Sequence, residues 1–342
     1  MSTPKRILVI YDMNYNSAKP FCQIHKLVKG LVRLGHDTHV FNYAGTLQQL
    51  SPFKSRSLSE RLYKHRVDEM LAAQAAEYEP DIAIITFARA LDADSVCALR
   101  RAVPNTVFLG FDDDPWPRLQ RNRIEAARQL DIVVATNDGE WLQDYRDAGV
   151  PLCAFVPNAC DPGVEYRYNV AEEWTSDLLW IGKLRHRADP SDTFRETLVH
   201  RLAENDKAAV YGCSGKPEIG GVHFLYAASG ARIGVSVNAY KPSIRFAHSD
   251  RLVRFLACGA MVLCRRFAGA DLLFKDGEHL RYFDEIDEFF ELADWHLAHE
   301  QERRRIADAG MEKGHAAFNC QRIAGYLLDL VETGKYAAPW NT

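Results

Sequence analysis

Three polar residues, Ser249, Asp250 and Arg251, stand directly before a short apolar segment that stops at Gly259. One interpretation is structural: Ser249 caps a helix over 249–258, and Gly259 is the residue just beyond the end of that helix. The other is chemical, because free N–H groups at a helix N-terminus, a hydroxyl and a guanidinium together suit a phosphate or diphosphate. The residues elsewhere in the chain decide between the two.

A glycine and several cations follow a predicted strand in the same half of the chain. The strand at 177–182 ends at Gly182, and Lys183, Arg185 and Arg187 come shortly after it. Glycine lets the backbone approach a ligand, and the cations neutralise the charge of a diphosphate. A solvated cationic loop is the alternative interpretation.

Polar residues also stand near other predicted strands of this half. Ser214 follows the strand at 208–213, in a loop that either wraps a nucleobase or binds nothing. Asn238 ends the strand at 231–238. His279 closes an Asp-Gly-Glu-His turn, where it is either a polar ligand contact, which we favour, or a capped corner.

Two loops in the first half have contrasting compositions. Asp112, Asp113 and Asp114 follow the predicted strand at 107–112 and precede a rigid Pro-Trp-Pro sequence. They form a helix cap with solvated charge, a carboxylate that serves as a general base or binds sugar hydroxyls, or a pair of ligands for a divalent metal. The loop after the first strand contains Asn14 and Asn16 but no glycine, so a nicotinamide dinucleotide site is not expected.

The length and composition of the chain limit the number of domains and the class of protein. A chain of 342 residues predicts two domains, and 47% apolar with 26% charged residues is typical of a soluble globular protein. A net charge of −4 disfavours a dedicated nucleic-acid binder. The start of the chain does not resemble a signal peptide, and no apolar run is long enough to span a membrane. The 8 cysteines form no CxxC pair, which predicts reduced thiols, a cytoplasmic protein and no zinc site.

Short strands alternate with amphipathic helices throughout, which predicts an α/β protein with parallel sheets covered on both faces. The predicted strands are 6–11, 36–43, 81–87, 107–112, 131–136, 151–157, 177–182, 208–213, 231–238, 260–264 and 280–283. The predicted helices lie near 17–34, 56–78, 92–102, 118–129, 138–148, 192–204, 249–258, 285–298, 300–316 and 319–334. The segment PNACDPGVEYRYN at 157–169 interrupts the alternation like a hinge, and two such halves place a ligand in the cleft between them.

The segment at 52–71 is basic. Leu58, Leu62 and Leu71 are interpreted as one helical face with basic residues nearby, namely Lys54, Arg56, Arg61, Lys64 and Arg66. A solvated helix is the ordinary interpretation of such a pattern. The alternative is a peripheral contact with an anionic membrane surface or with a charged acceptor.

Several motifs together resemble a known family. "SDRLVRFLACGAMVL", "LLFKDGEHLRYFD" and "RRRIADAGMEKGHAAFNCQRIAGYLLDLV" are similar to the C-terminal domain of CgeB-like (spore-maturation-type) glycosyltransferases. "GFDDDPWP" and "PNACDP" resemble N-domain and hinge signatures of the same group. The resemblance covers most of the chain and is strongest over 231–330.

This resemblance implies the GT-B architecture, in which two Rossmann-like domains face a central cleft. The limits expected here are an acceptor domain at 1–157, a nucleotide-sugar donor domain at 158–320, and a C-terminal helix and tail at 321–342 that packs back toward the first domain. The implied reaction moves a sugar, as in hexosyltransferases of polysaccharide biosynthesis, from a nucleoside-diphosphate donor to a hydroxyl acceptor. No obligatory metal or other cofactor is expected, because a helix dipole and cations stabilise the departing diphosphate.

The same resemblance assigns roles to the candidate residues. The donor-binding candidates are Lys183, Arg187, Ser214, Asn238, Ser249, Asp250, Arg251 and His279. The acceptor-side candidates are Asn14, Asn16, Asp112 and Asp114. The catalytic candidates are Asp113, as the base of an inverting reaction, and Arg251, which with Lys183 stabilises the leaving group of a retaining one.

The sequence also departs from the pattern of retaining GT-B enzymes. Two glutamates eight positions apart are usual there, whereas Phe246 and Arg254 stand in their neighbourhoods. The usual ribose-binding carboxylate is therefore missing. Two alternatives to a glycosyltransferase remain: a sugar-nucleotide epimerase of the same architecture, and a two-lobed protein that binds a nucleotide without catalysis.

Overall fold

The computed structural model describes residues 3–13, 21–86, 91–112, 121–184, 192–239, 241–338 and 340. The chain divides into two compact units. The first comprises Met1–Val156 with Ile323–Tyr336, and the second comprises Pro157–Arg322 with Ala337–Thr342. The boundary at Val156 is adjacent to the domain limit expected at 157.

The first unit is built on a parallel sheet whose described strands have the order β2-β1-β3-β4-β5-β6. These strands are β1 (Arg6–Tyr11), β2 (Asp37–Asn42), β3 (Ile82–Thr86), β4 (Val107–Asp112), β5 (Ile132–Ala135) and β6 (Leu152–Phe155). The helices are α1 (Gln23–Arg33), α2 (Tyr43–Leu50), α3 (Arg56–Tyr78), α4 (Ala93–Ala102), α5 (Arg121–Ala127) and α6 (Glu140–Asp147). Ile7, Leu8, Val9 and Ile10 are all fully buried, as in a strand covered on both faces.

The second unit is built on another parallel sheet, with the described order β11-β10-β9-β7-β8. These strands are β7 (Ser176–Ile181), β8 (Ala208–Tyr211), β9 (Ala231–Ser236), β10 (Met261–Arg265) and β11 (Arg281–Phe283). The helices are α7 (Phe194–Ala203), α8 (Gly221–Gly230), α9 (Asp250–Ala257), α10 (Ala270–Leu273), α11 (Ile286–Ala298) and α12 (Glu300–Ala317). Both sheets confirm the predicted α/β class.

The last helix, α13 (Cys320–Thr333), takes the chain from the second unit into the first. Within the first unit, Glu332 forms an ion pair with Lys5 at 3.8 Å. The hydroxyl of Tyr336 donates a hydrogen bond to the carbonyl of Phe155. These contacts hold the segment Ile323–Tyr336 beside the start of β1 and the end of β6.

Three helices, α2, α8 and α10, are absent from the sequence-based prediction. α2 begins at Tyr43, inside the region predicted as a strand at 36–43. α8 buries Phe224, Leu225, Ala227 and Ala228 on one face, but Val222 and Tyr226 place apolar side chains outside that face, so the sequence shows no distinct apolar stripe. α10 has only 4 residues, which is too short for any periodicity.

The predicted face of α3 is wrong. Leu71 is 1% exposed and packs in the core with Val67 and Ala75, whereas Leu58 and Leu62 are 37% and 55% exposed. The physical reason is the helical period, because a separation of nine residues is about two and a half turns and places Leu62 and Leu71 on opposite sides. Of the described helices, none is long and apolar enough to cross a membrane.

Candidate functional site

The strand order of the second sheet contains one reversal. The chain runs from β7 outward to β8 and then crosses to β9 on the other side of β7. In open parallel sheets, ligands bind outside the carboxyl ends of the strands at such a reversal. Here those ends are Ile181 of β7 and Ser236 of β9, and Gly182, Val237 and Asn238 follow them.

The side chain of Arg251, from the first turn of α9, occupies this reversal. Its Nη1 donates to the carbonyl of Ile181, and its Nη2 donates to the carbonyl of Val237 at 3.0 Å. The guanidinium also lies over the Trp180 ring, with Cζ 4.2 Å from the ring centroid. One side chain therefore ties the end of β7 to the end of β9, and the residue is only 7% exposed.

Gly182 makes this arrangement possible. A Cβ atom at this position would overlap Nη1 of Arg251. The glycine also has a φ of 158°, at the limit of the positive region that side chains avoid. A glycine is therefore needed at this position for the close approach of another group, as the sequence predicts. The group that approaches the Gly182 backbone is the Arg251 guanidinium.

Arg251 is a buried cation that forms no ion pair with any residue the structure describes. Among the described residues it donates only to the two carbonyls, and no carboxylate forms an ion pair with it. Burial, followed by the nearby Arg195 guanidinium, lowers the pKa of Arg251 to about 9, so the group still carries its charge at neutral pH. Because an unpaired buried charge is strongly unfavourable, this site favours an anionic ligand.

A second guanidinium, that of Arg195, lies at the same place and was missed by the sequence analysis. Its Cζ is 5.3 Å from the centroid of the Trp180 ring, and its Nη2 donates to the carbonyl of Lys183 at 2.6 Å. Arg195 belongs to the first turn of α7, twelve residues beyond Lys183. The cations just after β7 are recognisable from their position in the sequence, whereas nothing in the sequence near Arg195 links it to the end of that strand.

Three buried polar atoms around the reversal have no hydrogen-bond partner within the described part of the chain. They are Nδ2 of Asn238, Oγ of Ser249 and Nε of Arg251. Buried polar groups nearly always have a partner, so a cluster of this kind indicates a ligand. Ser249 stands at the N-cap position of α9, but its side chain makes no capping hydrogen bond, so the predicted capping role is wrong. Gly259, with a φ of 80°, does terminate α9 as predicted.

The other donor-side candidates near this edge lie at its exposed margin. Lys183 forms an ion pair with Glu218, Nζ to Oε1 at 2.8 Å, and its side chain is 45% exposed. Asp250, at the start of α9, is 47% exposed and lies 3.9 Å from the Arg254 guanidinium. Ser214 is exposed and has a φ of 51°, in the loop that follows β8.

His279 is not brought to this cluster. It precedes β11, whereas the other candidates follow their strands or begin α9. Its Nδ1 accepts a hydrogen bond from the backbone N–H of Lys275 at 3.0 Å, and its Nε2 lies 3.2 Å from the Glu278 carboxylate. Burial lowers its pKa, so the ring is neutral at pH 7. This geometry favours the capped corner over the ligand contact.

Arg254 and Phe246, which depart from the glutamate pattern of retaining enzymes, both have structural contacts. Nε of Arg254 donates to the carboxylate of Glu165 at 2.9 Å, and Glu165 is fully buried. The Arg254 guanidinium also lies 3.6 Å from the centroid of the Phe224 ring. Phe246 is 1% exposed, and its ring fills the space that a Cβ would need at Gly269. Arg254 thus ties α9 to the hinge-like segment at 157–169.

In the first unit, Asp112 is the acceptor-side candidate that the structure describes. It ends β4 and is 2% exposed. Its two carboxylate oxygens lie 3.0 and 3.1 Å from Nη1 of Arg123, and the hydroxyl of Tyr145 donates to it at 2.8 Å. Burial, together with the charge of Asp112, raises the pKa of Tyr145. Asp112 is therefore compensated inside its own unit. Five further candidates lie outside the described residues: Asn14, Asn16, Asp113, Asp114 and Arg187.

A protein-family comparison covers part of this cluster. Residues 193–329 match the family model described as "Glycosyl transferase-like". The matched segment includes Arg195, Asn238, Ser249 and Arg251. The chain therefore carries a glycosyltransferase-like domain, which confirms the prediction of a glycosyltransferase at that level. No protein with a curated function is significantly similar to the sequence.

Solved structures share the fold at low sequence identity. HepE of Anabaena, solved with UDP and glucose, matches with a TM-score of 0.61 and 12% identity, over 96% of this chain and 100% of that one. A glycosyltransferase from Rickettsia africae matches with a TM-score of 0.63 and 11% identity, over 96% and 97%. A putative UDP-N-acetylglucosamine 2-epimerase from Listeria monocytogenes matches with a TM-score of 0.56 and 11% identity, over 97% of each chain. These similarities confirm the predicted GT-B fold class.

Proposed function

We propose that the protein transfers a sugar from a nucleoside-diphosphate donor to a hydroxyl acceptor. The observation that carries this proposal is the uncompensated Arg251 guanidinium at the strand reversal of the second sheet. A diphosphate supplies the missing negative charge and the acceptor oxygens for nearby donors. The glycosyltransferase-like match over 193–329 supports the same reaction class. The strongest part of the CgeB-like resemblance overlaps this match, and we propose that subfamily for the chain.

The diphosphate would be held by groups that have no hydrogen-bond partner among the described residues. Nε of Arg251, Nδ2 of Asn238 and the Ser249 hydroxyl are all able to donate to phosphate oxygens. The N–H groups at the start of α9 add the positive end of the helix dipole. Arg195 supplies a second guanidinium, and Lys183 could exchange Glu218 for the ligand because both side chains are largely exposed.

In the reaction, an acceptor oxygen attacks the anomeric carbon while the bond from that carbon to the diphosphate oxygen breaks. The electron pair of the broken bond leaves with the diphosphate, where Arg251 and the α9 dipole stabilise it. In an inverting reaction, the acceptor proton passes to a carboxylate. Because Asp112 is already bound by Arg123 and Tyr145, the candidate base stays Asp113, with Asp114 on the acceptor side. In a retaining reaction, the proton passes to the departing diphosphate.

We propose UDP as the first nucleotide to test, because HepE was solved with UDP and with UDP-glucose. The transferred group is proposed to be a hexose. Surface polysaccharide, a lipid-linked glycan and a modified small molecule are the acceptor classes proposed for this chain. The two guanidiniums and the helix dipole neutralise the leaving group without a metal. Turnover should therefore persist after treatment with EDTA, and a loss that Mg²⁺ restores would contradict this part of the proposal.

The test is a thermal-shift screen of the full chain against UDP, GDP, ADP, CDP and dTDP. A nucleotide at 100 times its dissociation constant adds about 2.7 kcal/mol of stability. That corresponds to several degrees, because roughly 2–4 °C follows from each kcal/mol in domains of this size. The nucleotide that shifts the transition is then supplied as its sugar conjugates, and products are identified by mass spectrometry. The absence of a shift with every nucleotide at millimolar concentration would refute the diphosphate site.

The epimerase is the second candidate, because the fold is also similar to that of the putative Listeria epimerase. The two reactions differ in their need for an acceptor. An epimerase converts the donor into an isomeric sugar nucleotide when no acceptor is present, whereas a transferase releases the nucleoside diphosphate when one is added. A nucleotide that binds but is never consumed would instead identify a non-catalytic binding protein.

A further inference from the structure

The loop before α3 and the first three turns of that helix expose apolar and basic side chains together. Phe53, Leu58 and Leu62 are 41%, 37% and 55% exposed. Exposed basic residues stand beside them in the sequence: Lys54, Arg61 and Arg66. These six residues are called the α3 surface. Exposed apolar side chains that cluster with one sign of charge indicate an interaction site.

The helical period places the four helical residues of the α3 surface on one side of the helix. At about 100° per residue, Leu58, Arg61, Leu62 and Arg66 fall within less than half of the helix circumference. The core-facing residues Val67 and Leu71 lie on the opposite side and are at most 1% exposed. The α3 surface is therefore a second face, separate from the one that builds the core of the first unit.

The structure also separates the basic residues of this segment into two groups. Arg56 and Lys64 are held by carboxylates of their own unit: Arg56 by Asp12 and Glu60 at 2.7 Å each, and Lys64 by Asp68 at 2.7 Å and Asp92 at 3.1 Å. Within the described part of the chain, Lys54 and Arg61 have no ion pair. Arg66 shares Glu69 with His65, at 3.3 Å from each, and is 68% exposed. The solvent-facing group therefore carries an excess of positive charge.

We propose that the α3 surface docks the protein on an anionic lipid bilayer. Lys54, Arg61 and Arg66 would contact the headgroups, while Phe53, Leu58 and Leu62 enter the boundary between headgroups and acyl chains. This function goes beyond sugar transfer and does not depend on it. Peripheral binding would bring the enzyme to acceptors that carry a lipid.

Charge and apolar exposure together favour a bilayer over a soluble polyanion. The whole chain has a net charge of −4, so its attraction to an anionic surface must come from a local basic patch. A soluble anionic glycan would pair with the three cations but would gain little from Leu62, which has the largest exposed fraction of the three apolar residues. A bilayer uses both kinds of side chain.

The experiment is co-sedimentation of the full chain with vesicles, measured without nucleotide. One set contains phosphatidylcholine alone, and the other contains phosphatidylcholine mixed with phosphatidylglycerol. Binding is expected only to the anionic vesicles, and it should weaken as salt is raised. Arg61→Glu and the double variant Phe53→Ser with Leu62→Ser should each weaken binding about tenfold, because one reverses the charge and the other removes the inserting groups.

Matched variants on the second unit serve as controls. Leu272→Ser removes an apolar side chain that is 39% exposed, and Lys207→Glu reverses an exposed cation. Both should bind anionic vesicles like the wild type. The proposal is overturned if the wild type does not bind these vesicles, or if the controls lose as much binding as the α3 variants. It is also overturned if Arg61→Glu loses binding while Phe53→Ser with Leu62→Ser does not, which would identify a surface for a soluble polyanion.

Discussion

Asp112, the last residue of β4, and Arg251, the second residue of α9, are both charged and buried. Among the described residues, only Asp112 forms an ion pair with a side chain of opposite charge. Asp112 is neutralised by Arg123 and receives a second hydrogen bond from Tyr145. Arg251 donates to two backbone carbonyls and, in the described chain, forms no ion pair. Both charges lie at the carboxyl edge of a sheet. The negative charge of Asp112 is neutralised by an ion pair, whereas the positive charge of Arg251 has no ion pair among the described residues.

This difference shows how similar sheets serve different purposes. In the first unit, the charge of Asp112 at the strand end is neutralised by Arg123 of the same unit, so it does not require a ligand of opposite charge. In the second unit, the charge is held in place by carbonyls and by the Trp180 ring, and none of the described residues neutralises it by an ion pair. A charge that the protein positions without neutralising it is suited to a ligand of opposite sign, which is why the diphosphate is proposed for the second unit.

The largest expected effect comes from Arg123→Ala. Asp112 would then be a buried carboxylate without its cation, which costs about 3–5 kcal/mol of unfolding free energy. Urea unfolding measures the loss, and nucleotide affinity of the protein that remains folded should not change. Arg123→Lys keeps the charge and should recover part of the stability. A loss of less than about 1 kcal/mol in Arg123→Ala would mean that Asp112 does not depend on this partner.

The next effect concerns pH and the second unit. Burial lowers the pKa of His248 and of His296 to about 4, whereas an unfolded histidine titrates near 6.5. Between pH 6.5 and 4 the unfolded chain therefore binds more protons than the folded chain. The contribution of the two neutral histidines to the free energy of unfolding is fully present above pH 6.5 and is lost as the pH falls toward 4. For His248 the full loss is about 3 kcal/mol. Urea unfolding across this range should show the slope, and His296→Gln should flatten it. An unchanged slope in that variant would contradict the assignment for His296.

Arg251→Ala tests the uncompensated charge directly. The affinity for the nucleoside diphosphate should fall by about 1.5–3 kcal/mol, the range for a hydrogen bond to a charged group. Titration calorimetry on folded protein provides the measurement. Arg201→Ala is the matched control, since Arg201 belongs to the same unit but pairs with Asp287 at 2.7 Å. Equal affinities in the wild type and Arg251→Ala would remove Arg251 from the site.

The smallest effect separates two serines at helix N-cap positions. Ser55 of α3 accepts a hydrogen bond from the N–H of Leu58, whereas Ser249 of α9 makes no such bond. Ser55→Ala should therefore lower stability by about 0.5–2 kcal/mol and leave nucleotide affinity unchanged. Ser249→Ala should do the reverse, with little loss of stability and about 0.5–1.5 kcal/mol less binding energy. If both serines affected only stability, Ser249 would be an ordinary cap.

Much of the fold could be predicted from the sequence because its signals are local. β1 at 6–11, β4 at 107–112 and α3 at 56–78 have the bounds that the sequence predicts, since apolar runs and helical periods depend on neighbouring residues. α8 was missed because it is apolar on several sides, and only its surroundings in the second unit explain that. The predicted apolar face of α3 is wrong, although the helical period alone is sufficient to separate Leu62 from Leu71.

The candidate site was predictable only in part. Ser249, Asn238 and Arg251 were selected because polar residues at strand ends and helix starts are typical of α/β ligand sites. Arg195 was not selected, because it is twelve residues from Lys183 in sequence and reaches the Lys183 carbonyl only through the packing of α7. His279 was selected from its turn motif, but the direction of β11 separates it from the other candidates.

The sequence by itself determined the alternation of strands and helices and the general region of the candidate donor site, because these depend on residue order and periodicity, whereas the GT-B fold class was expected from the resemblance of its motifs to a known family. Only the tertiary structure decided which charges are neutralised. The ion pair of Asp112 with Arg123 and the hydrogen bonds of Arg251 to two carbonyls depend on contacts between residues 11 to 70 positions apart. Burial then decides how much free energy those contacts contribute, because an unpaired charge costs little free energy in water and much more inside the protein.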